Sequence, residues 1–357
     1  MTIHSDSVSD VTPTRVPRRL ESPSLVARLA RAPELGAAVA AILLYIFFSI
    51  AAAGNGFTSI SGTASWLNTA AQLGIIAVPV GMLMIAGEFD LSIGSMVGAG
   101  SVTVGIVTGY YGQPLLFGLA IAFCVAMIGG LGNGLLVTRT GVPSFIVTLA
   151  SNFIIAGLAL AISRSMVNST SIQVQSDGLV SEALAMHWGD FDVAILWWLG
   201  IIAVAAWVLG QKQFGNWMFA TGGDAEQARR AGVPTAWVKI VLYLCTALAS
   251  AFVGALQAVQ FHTGDATTGQ GYVFQAPMVV VIGGVLLLGG YGTVLGVVLG
   301  TLIYGFVSAG LFYTGWNTDY AQVVIGVLMV IAVLANSAVR RTAANTFRTN
   351  GARGANR

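Results

Sequence analysis

Charged side chains are scarce in this sequence: Asp, Glu, Lys and Arg together account for 8% of its 357 residues. A soluble domain carries about 25% charged residues, so this chain has too few to cover a surface that faces water. Hydrophobic residues account for 56%. The composition therefore excludes an ordinary soluble protein and predicts that lipid surrounds most of the chain.

Cysteine, lysine and the short catalytic motifs are also rare or missing. Cys124 and Cys245 lie inside apolar runs without a metal-ligand neighbour, so we interpret both as small core residues. Neither Lys212 nor Lys239 follows the Gly-rich loop of a nucleotide-binding P-loop, and no hydrolase, zinc or nucleic-acid-binding pattern appears. We therefore expect this chain to contain no catalytic residue and to bind no metal, nucleotide or other cofactor.

Long apolar runs make up most of the chain. A helix that crosses a bilayer needs about 20 mostly apolar residues, and runs such as "AAVAAILLYIFFSIAAA" lack the alternation typical of membrane strands. The second and third candidates nearly touch and the eighth is short. We therefore predict an all-α polytopic membrane protein with about ten transmembrane helices, eight at the fewest. The candidate spans are 35–53, 67–87, 91–109, 115–137, 143–162, 191–210, 238–259, 276–288, 293–313 and 320–339.

Basic residues indicate the direction of these helices, because they favour the cytoplasmic side. An even number of spans with the N-terminus inside leaves only Arg164, of the 16 Lys and Arg residues, on the outside. Both termini are then cytoplasmic. We predict a disordered tail over 1–34, a membrane domain over 35–339 with its longest internal cytoplasmic loop at 211–237, and a second tail over 340–357.

That cytoplasmic loop contains the charged stretch "TGGDAEQARRAGVP". Asp224 can accept the free N–H groups of a first helical turn, in which Glu226 also lies. Arg229 and Arg230 fall in the last turn, where the helix dipole favours cations, and Gly232 suits a left-handed stop. The pattern predicts a short helix, which is either a capped surface helix or a docking element for a cytoplasmic partner.

Two acidic residues, Glu88 and Asp90, lie between the second and third spans. Each charge would cost about 2.5–3.5 kcal/mol at the centre of a bilayer, so we expect the pair at an interface, beside a wet cavity or in protonated form. Asp90 can cap the third helix. Alternatively, the pair forms a polar wall of a transport pathway or serves a proton-coupled carrier.

Four stretches, taken in order, carry patterns of a known family. They are "GEFDLSIGS" (Gly87–Ser95), "GNGLLVTRTGVPSFIVTLAS" (Gly132–Ser151), "GGDAEQARRAGV" and "VVIGGVLLLGGYGTVLGVVLGTL" (Val280–Leu302). Together they resemble the permease subunits of ribose-type (simple-sugar) ABC importers, a family that also includes branched-chain amino acid permeases. Glu88 departs from the family pattern, which has a glycine at that position.

The resemblance implies an inner-membrane subunit of a bacterium that pairs with a second permease subunit, in a homodimer or a heterodimer. It also implies a cytoplasmic ABC ATPase dimer that binds ATP and Mg²⁺, and an extracytoplasmic binding protein that delivers a monosaccharide or similar polyol. The residues expected to couple this chain to the ATPase are Gly222, Gly223, Asp224, Glu226, Ala228, Arg229, Arg230 and Gly232.

A sugar has many hydroxyl groups and no charge, so its pathway needs neutral hydrogen-bonding groups and aromatic faces. The residues that we predict for the pathway are Glu88, Asp90, Ser92, Asn133, Phe145, Thr148 and Asn152; further candidates within spans are Gln72, Ser151, Gln257, Tyr304 and Ser308. Such side chains also join membrane helices to one another, and that role stays open for each. We favour Asn133 and Asn152 as pathway residues.

Two other functions remain open. A branched-chain amino acid permease carries charged substrates, but the apolar core has no embedded Lys or Arg to match a carboxylate. A secondary transporter driven by ions would use Glu88 and Asp90.

Overall fold

The computed structural model describes residues 33–176 and 178–334. The C-terminal tail predicted over 340–357 and nearly all of the tail predicted over 1–34 lie outside these residues. The described helices are α1 (Pro33–Ala51), α2 (Ile60–Ile85), α3 (Ile93–Gly105, followed by a π-helical turn, Ile106–Tyr110), α4 (Leu115–Thr140), α5 (Ser144–Val167), α6 (Leu179–Ala185), α7 (Ala194–Gln211), α8 (Gln213–Gly223), α9 (Ala225–Arg230), α10 (Thr235–Gln260), α11 (Tyr272–Ile282), α12 (Val294–Thr314) and α13 (Tyr320–Leu334).

Eight of the described helices are long and apolar enough to cross a membrane: α1, α2, α3 with its π-helical turn, α4, α5, α7, α10 and α12. Helices α11 and α13 are apolar but shorter in their described parts. The prediction of an all-α polytopic membrane protein is confirmed, and the number of full-length spans lies at the lower limit of the predicted range.

Two predicted boundaries differ most from the structure and were wrong. Helix α2 begins at Ile60 rather than at residue 67, because Ser59 caps it by accepting a hydrogen bond from the Gly62 N–H at 3.0 Å. The candidate 276–288 is a helix only as far as Ile282. The chain beyond it is rich in glycine and adopts left-handed backbone conformations, for example at Gly284 with φ of +91°.

Helices α2 and α3 form the centre of the bundle. In their most apolar windows 78% and 83% of the residues are buried, against 17% for α1 and for α7. Helix α10 packs closely on α3, since a Cβ atom at Gly254 would meet the carbonyl oxygen of Val97. Small residues permit this approach of two helix backbones.

Cys124 and Cys245 are both exposed, so their interpretation as core residues was wrong.

The two ends of the bundle differ. At one end, the outer end, β1 (Ser171–Gln173) pairs antiparallel with β4 (Thr263–Asp265), and β2 (His187–Trp188) forms a hairpin with β3 (Phe191–Asp192). At the other, the inner end, lie α8, α9 and the start of α10. Arg164 lies in the last turn of α5, next to the strands of the outer end. Lys239 and the Arg139 end of α4 lie at the inner end, as the basic residues predict for a cytoplasmic face.

Candidate functional site

Helix α9 lies in the predicted coupling loop and forms as the sequence predicts. Asp224 Oδ1 accepts hydrogen bonds from the backbone N–H groups of Glu226 and Gln227, at 3.0 and 2.9 Å. The helix ends at Arg230, and Gly232 takes a left-handed conformation with φ of +88°. The local capping signals therefore determine this helix, although it has only six residues.

The surface of α9 is charged and one side of it is anchored. Glu226 accepts hydrogen bonds from Arg229 at 2.6 Å and from Arg230 at 3.3 Å, and all three side chains are more than half exposed. Such exposed pairs contribute little to stability. Ala228 is buried. Helix α9 therefore presents a paired cluster of charge to the aqueous side while Ala228 holds it against the bundle.

The glycine before α9 touches the bundle directly. A Cβ atom at Gly222 would overlap the carbonyl oxygen of Ile85 at the end of α2, whereas a Cβ atom at Gly223 would meet nothing within 4 Å. Gly290 also belongs to this junction. Its N–H donates a hydrogen bond to the Ile85 carbonyl oxygen at 2.8 Å, and a Cβ atom at Gly290 would meet the backbone of Gly223. Three chain segments thus meet backbone to backbone, which only glycine permits at this separation.

Glu88 has a partner that the sequence did not indicate. Lys239 Nζ donates to Glu88 Oε1 at 2.5 Å, and the two side chains are only 19% and 11% exposed. Glu88 follows α2, and Lys239 lies in the first turns of α10. The two residues are 151 positions apart, so no local pattern links them.

Asp90 is fully buried in the connection between α2 and α3. Its Oδ1 accepts from the backbone N–H of Ser92 at 2.9 Å and from the Ser92 hydroxyl at 2.6 Å, and its Oδ2 accepts from the Thr246 hydroxyl at 2.6 Å. Burial raises the pKa of the Asp90 carboxyl, while these hydrogen bonds act in the opposite direction. The residue at the N-cap of α3 is Ser92 rather than Asp90, so the capping role considered for Asp90 was wrong.

The network continues from Asp90 into α4 and α5. Asn133 Nδ2 donates to Ser92 Oγ at 2.9 Å, and Asn133 Oδ1 accepts from Ser151 Oγ at 2.5 Å. Asn152 is a separate link, since its Oδ1 accepts from the backbone N–H of Ser95 at 3.3 Å. These bonds join α3, α4, α5 and α10 at buried positions and, for Ser151, at a partly buried one. The geometry of these hydrogen bonds suits the association of helices. The role of Asn133 and Asn152 in a substrate pathway stays a prediction.

The other predicted pathway residues lie outside this network. Thr148 is buried, and its hydroxyl donates to the Ser144 carbonyl of its own helix at 2.8 Å. Phe145 is 53% exposed on the same helix. A cavity of about 370 Å³ lies between α3, α4 and α5, and its lining is aliphatic apart from Thr103, Asn133 and Ser151.

A second, more polar cavity lies at the outer end and has a volume of about 270 Å³. The sequence did not predict that these residues form one cavity, although Gln72, Gln257 and Tyr304 were among the further candidates for the pathway. Gln257 Nε2 donates to Gln72 Oε1 at 2.8 Å and to the Tyr272 hydroxyl at 2.9 Å. The residues lining this cavity are Asn68, Thr69, Gln72, Leu73, Phe261, Tyr272, Gln275 and Tyr304.

A helical body with eight candidate spans among the described residues is that of a polytopic membrane protein, and a charged, capped helix lies at one of its ends. The chain belongs to the family described as the permease component of the branched-chain amino acid transport system, whose pattern matches residues 62–333. The predicted resemblance is therefore confirmed, and the protein is a multi-pass permease subunit of the cytoplasmic membrane.

Three relatives indicate the range of this family. The chain is 30% identical to the probable ABC transporter permease protein YphD of Escherichia coli K12, over 85% of this chain and 89% of that protein. It is 28% identical to the fructose import permease protein FrcC of Rhizobium meliloti, over 85% of each chain. It is 31% identical to the ribose import permease protein RbsC of Bacillus subtilis 168, over 73% of this chain and 80% of the other. No solved structure matches the chain.

Proposed function

We propose that this chain is the membrane subunit of an ABC importer that carries a monosaccharide or similar polyol. In this proposal an extracytoplasmic binding protein delivers the sugar, and two permease subunits enclose its route. A cytoplasmic ATPase dimer binds ATP and Mg²⁺ and docks on α9. The chain itself carries out no covalent chemistry.

The observation that carries the proposal is the geometry of α9. An isolated helix of six residues is not stable in water, so this one depends on its Asp224 cap and its buried Ala228. It nevertheless exposes both Arg229 and Arg230. A small, rigid and charged element at the inner end suits docking to a soluble partner.

In this proposal the junction at Gly222 transmits movement of α9 to the membrane helices. The end of α8 touches the end of α2, and the Gly290 segment is hydrogen-bonded to that same end. Because these backbone segments are in close contact, they cannot move far relative to one another: packed interfaces resist continuous deformation. We infer that movement of α9 is passed to α2 and to the connection between α11 and α12.

Chemistry and the relatives support the proposed substrate class. Two of the relatives are named as importers of fructose and ribose. Neither the cavity between α3, α4 and α5 nor the cavity at the outer end is lined by a charged side chain. An amino acid would bring an ammonium and a carboxylate group that such walls leave unpaired, at a high desolvation cost. A neutral polyol has no such cost.

An ion-driven carrier has less support. It would use Glu88 and Asp90, but Glu88 is paired with Lys239, and Asp90 accepts three hydrogen bonds from Ser92 and Thr246. We retain as part of the proposal that Asp90, Ser92 and Asn133 stiffen one polar wall of the route.

Reconstitution of the whole importer in proteoliposomes tests this function. Vesicles would contain the chain with its ATPase, and the binding protein would be added outside with radiolabelled ribose, fructose or galactose. We expect uptake of one of these sugars only with internal ATP and Mg²⁺, accompanied by an increase in ATP hydrolysis.

Leucine uptake in the same vesicles is the control for the amino acid alternative, and an imposed proton or sodium gradient without ATP is the control for the carrier. Uptake driven by a gradient alone, or uptake of leucine in place of the sugars, would contradict the proposal.

A further inference from the structure

The polar cavity at the outer end has the composition of a binding site for an uncharged, hydroxyl-rich molecule. We call it the glutamine cavity and define it by Gln72, Tyr272, Gln275 and Tyr304, with Phe261 at its edge. Helices α2, α11 and α12 each contribute lining residues. Its volume of about 270 Å³ is close to the lower limit for small-molecule pockets in proteins, which suits a ligand the size of a single sugar.

The lining matches sugar chemistry rather than ionic chemistry. An amide side chain offers donors on nitrogen and an acceptor on oxygen, so Gln72 and Gln275 can each bind a hydroxyl group in either role. Aromatic rings combine an apolar face with, in tyrosine, a polar tip. Tyr272 and Tyr304 therefore provide surfaces for the C–H faces of a sugar ring and hydroxyls for its edge.

Some of this hydrogen-bonding capacity is already used, and that part holds the site in shape. Gln72 Nε2 donates to Gln260 Oε1 at 3.1 Å, and Gln257 bridges Gln72 and Tyr272. These bonds connect α2, α10 and the start of α11. A ligand would thus meet a preformed wall, which reduces the ordering cost of binding.

Other hydrogen-bonding groups are unused. Among the described residues, the buried Gln260 Nε2 has no hydrogen-bond partner, and it belongs to the amide that is bonded to Gln72. The side-chain amide of Gln275 and the hydroxyl of Tyr304 make no hydrogen bond to the described residues either, although both line the cavity. Gln260 does not line the cavity, whereas Gln275 and Tyr304 line it and are half-buried, so their polar groups are available to a hydroxyl-bearing ligand.

Two aspartates that contact the cavity-lining Asn68 through their backbone have carboxylates with partners of their own. Asn68 accepts from the backbone N–H of Asp192 at 3.0 Å and donates to the backbone carbonyl of Asp190 at 2.9 Å. The Asp190 carboxylate accepts from Ser61 at 2.5 Å, and the Asp192 carboxylate contacts His187 at 2.7 Å. No carboxylate lines the glutamine cavity.

We propose that the glutamine cavity is the site in this subunit that receives the sugar from the binding protein, with Gln275 and Tyr304 contacting its hydroxyl groups. This inference rests on the proposed function, because it names where the cargo of that importer first binds. It specifies a neutral polyhydroxyl ligand, one site in each subunit, at the outer end.

The first test is kinetic and uses the full importer in proteoliposomes with ribose, fructose and galactose as probes. The variant that combines Gln275→Leu with Tyr304→Phe removes two unused polar groups while keeping the side chains similar in size. We expect its uptake of the transported sugar at a fixed low concentration to fall about tenfold, the loss expected from two neutral hydrogen bonds. Phe274→Leu is the matched control, because Phe274 is 62% exposed on the same helix and does not line the cavity.

The second test does not depend on turnover. Gln275→Cys, in a chain whose Cys124 and Cys245 are replaced by alanine, would be labelled from outside with a membrane-impermeant maleimide. We expect the transported sugar at millimolar concentration to slow labelling at least fivefold, and mannitol, if it is not transported, to slow it less. A cysteine introduced at Phe274 should show no protection.

The outcomes separate the two proposals. If the unmodified importer takes up none of the three sugars with ATP, the proposed function fails and the site assignment fails with it. If it transports a sugar but the double variant shows undiminished uptake and Gln275→Cys is unprotected, only the site assignment is overturned. Reduced uptake with normal membrane levels, together with protection at Gln275→Cys, supports both.

Discussion

Lys239 forms an ion pair with Glu88, with Nζ and Oε1 2.5 Å apart, and this contact joins the start of α10 to the end of α2. Both side chains are mostly buried. Removal of one partner from such a pair leaves an uncompensated charge, whereas removal of both is often tolerated. The glutamate that departs from the family pattern is therefore matched by a lysine far away in the sequence.

We predict that Glu88→Gln and Lys239→Gln each destabilise the protein, by about 3 kcal/mol in the free energy of unfolding. The double variant should recover most of this loss, because neither charge is then left alone. Thermal unfolding of the purified subunit in detergent measures the effect. Lys212→Gln, at an exposed position, is the control. Losses in the double variant equal to the sum of the single losses would refute the pairing.

Gly222→Ala should uncouple ATP hydrolysis from uptake, because the new methyl group overlaps the Ile85 carbonyl and forces the end of α8 away from α2. We expect uptake in proteoliposomes to fall at least tenfold. Gly223→Ala is a closely matched control, since a Cβ atom there meets nothing within 4 Å. Equal behaviour of the two variants would show that the junction does not transmit movement.

Charge reversal on α9, by Arg229→Glu with Arg230→Glu, should weaken association with the ATPase at least tenfold. The fold should survive, because both arginines are exposed and their pairs with Glu226 contribute little. Co-purification of the tagged subunit with the ATPase measures this. Lys212→Glu reverses a charge at the inner end outside α9 and should leave association intact. Unchanged co-purification of the double variant would argue against docking on α9.

Loss of the Asp224 cap should destabilise helix α9 and thereby weaken docking of the ATPase. Asp224→Ala removes the acceptor for two backbone N–H groups, and a lost cap typically costs about 1 kcal/mol. We expect weaker ATPase association, and Asp224→Ser, which keeps a capping oxygen, should restore it. Equal losses with alanine and serine would mean that the charge of Asp224, rather than its cap, is what the partner requires.

Asp90→Asn should fold and transport at least half as well as the unmodified chain. The asparagine oxygen can accept from Ser92, and its Nδ2 can donate to the Thr246 hydroxyl, which already contacts the Tyr243 carbonyl at 3.0 Å. Asp90→Leu leaves these donors unsatisfied and should cost about 1–3 kcal/mol. Thermal unfolding and sugar uptake check both. Abolished uptake in a stably folded Asp90→Asn variant would favour a proton-coupled carrier instead.

Hydropathy, charge distribution and helix capping are local properties, and they determined much of this protein. They predicted the polytopic helical class, most of the spans and the helix over Ala225–Arg230, because each depends on residues within a few positions of one another. The same local signals misplaced the start of α2, where a polar turn precedes the apolar run, and extended the candidate 276–288 past the glycines that end α11.

Only the tertiary structure decided which distant groups meet. The pairing of Glu88 with Lys239, the contact of Gly222 with Ile85 and the glutamine cavity all join segments more than 100 residues apart. The sequence shows that polar residues occur in apolar helices and therefore need partners. Which partner each one finds depends on how the helices pack and rotate, and that is set by the whole set of buried contacts rather than by any one stretch.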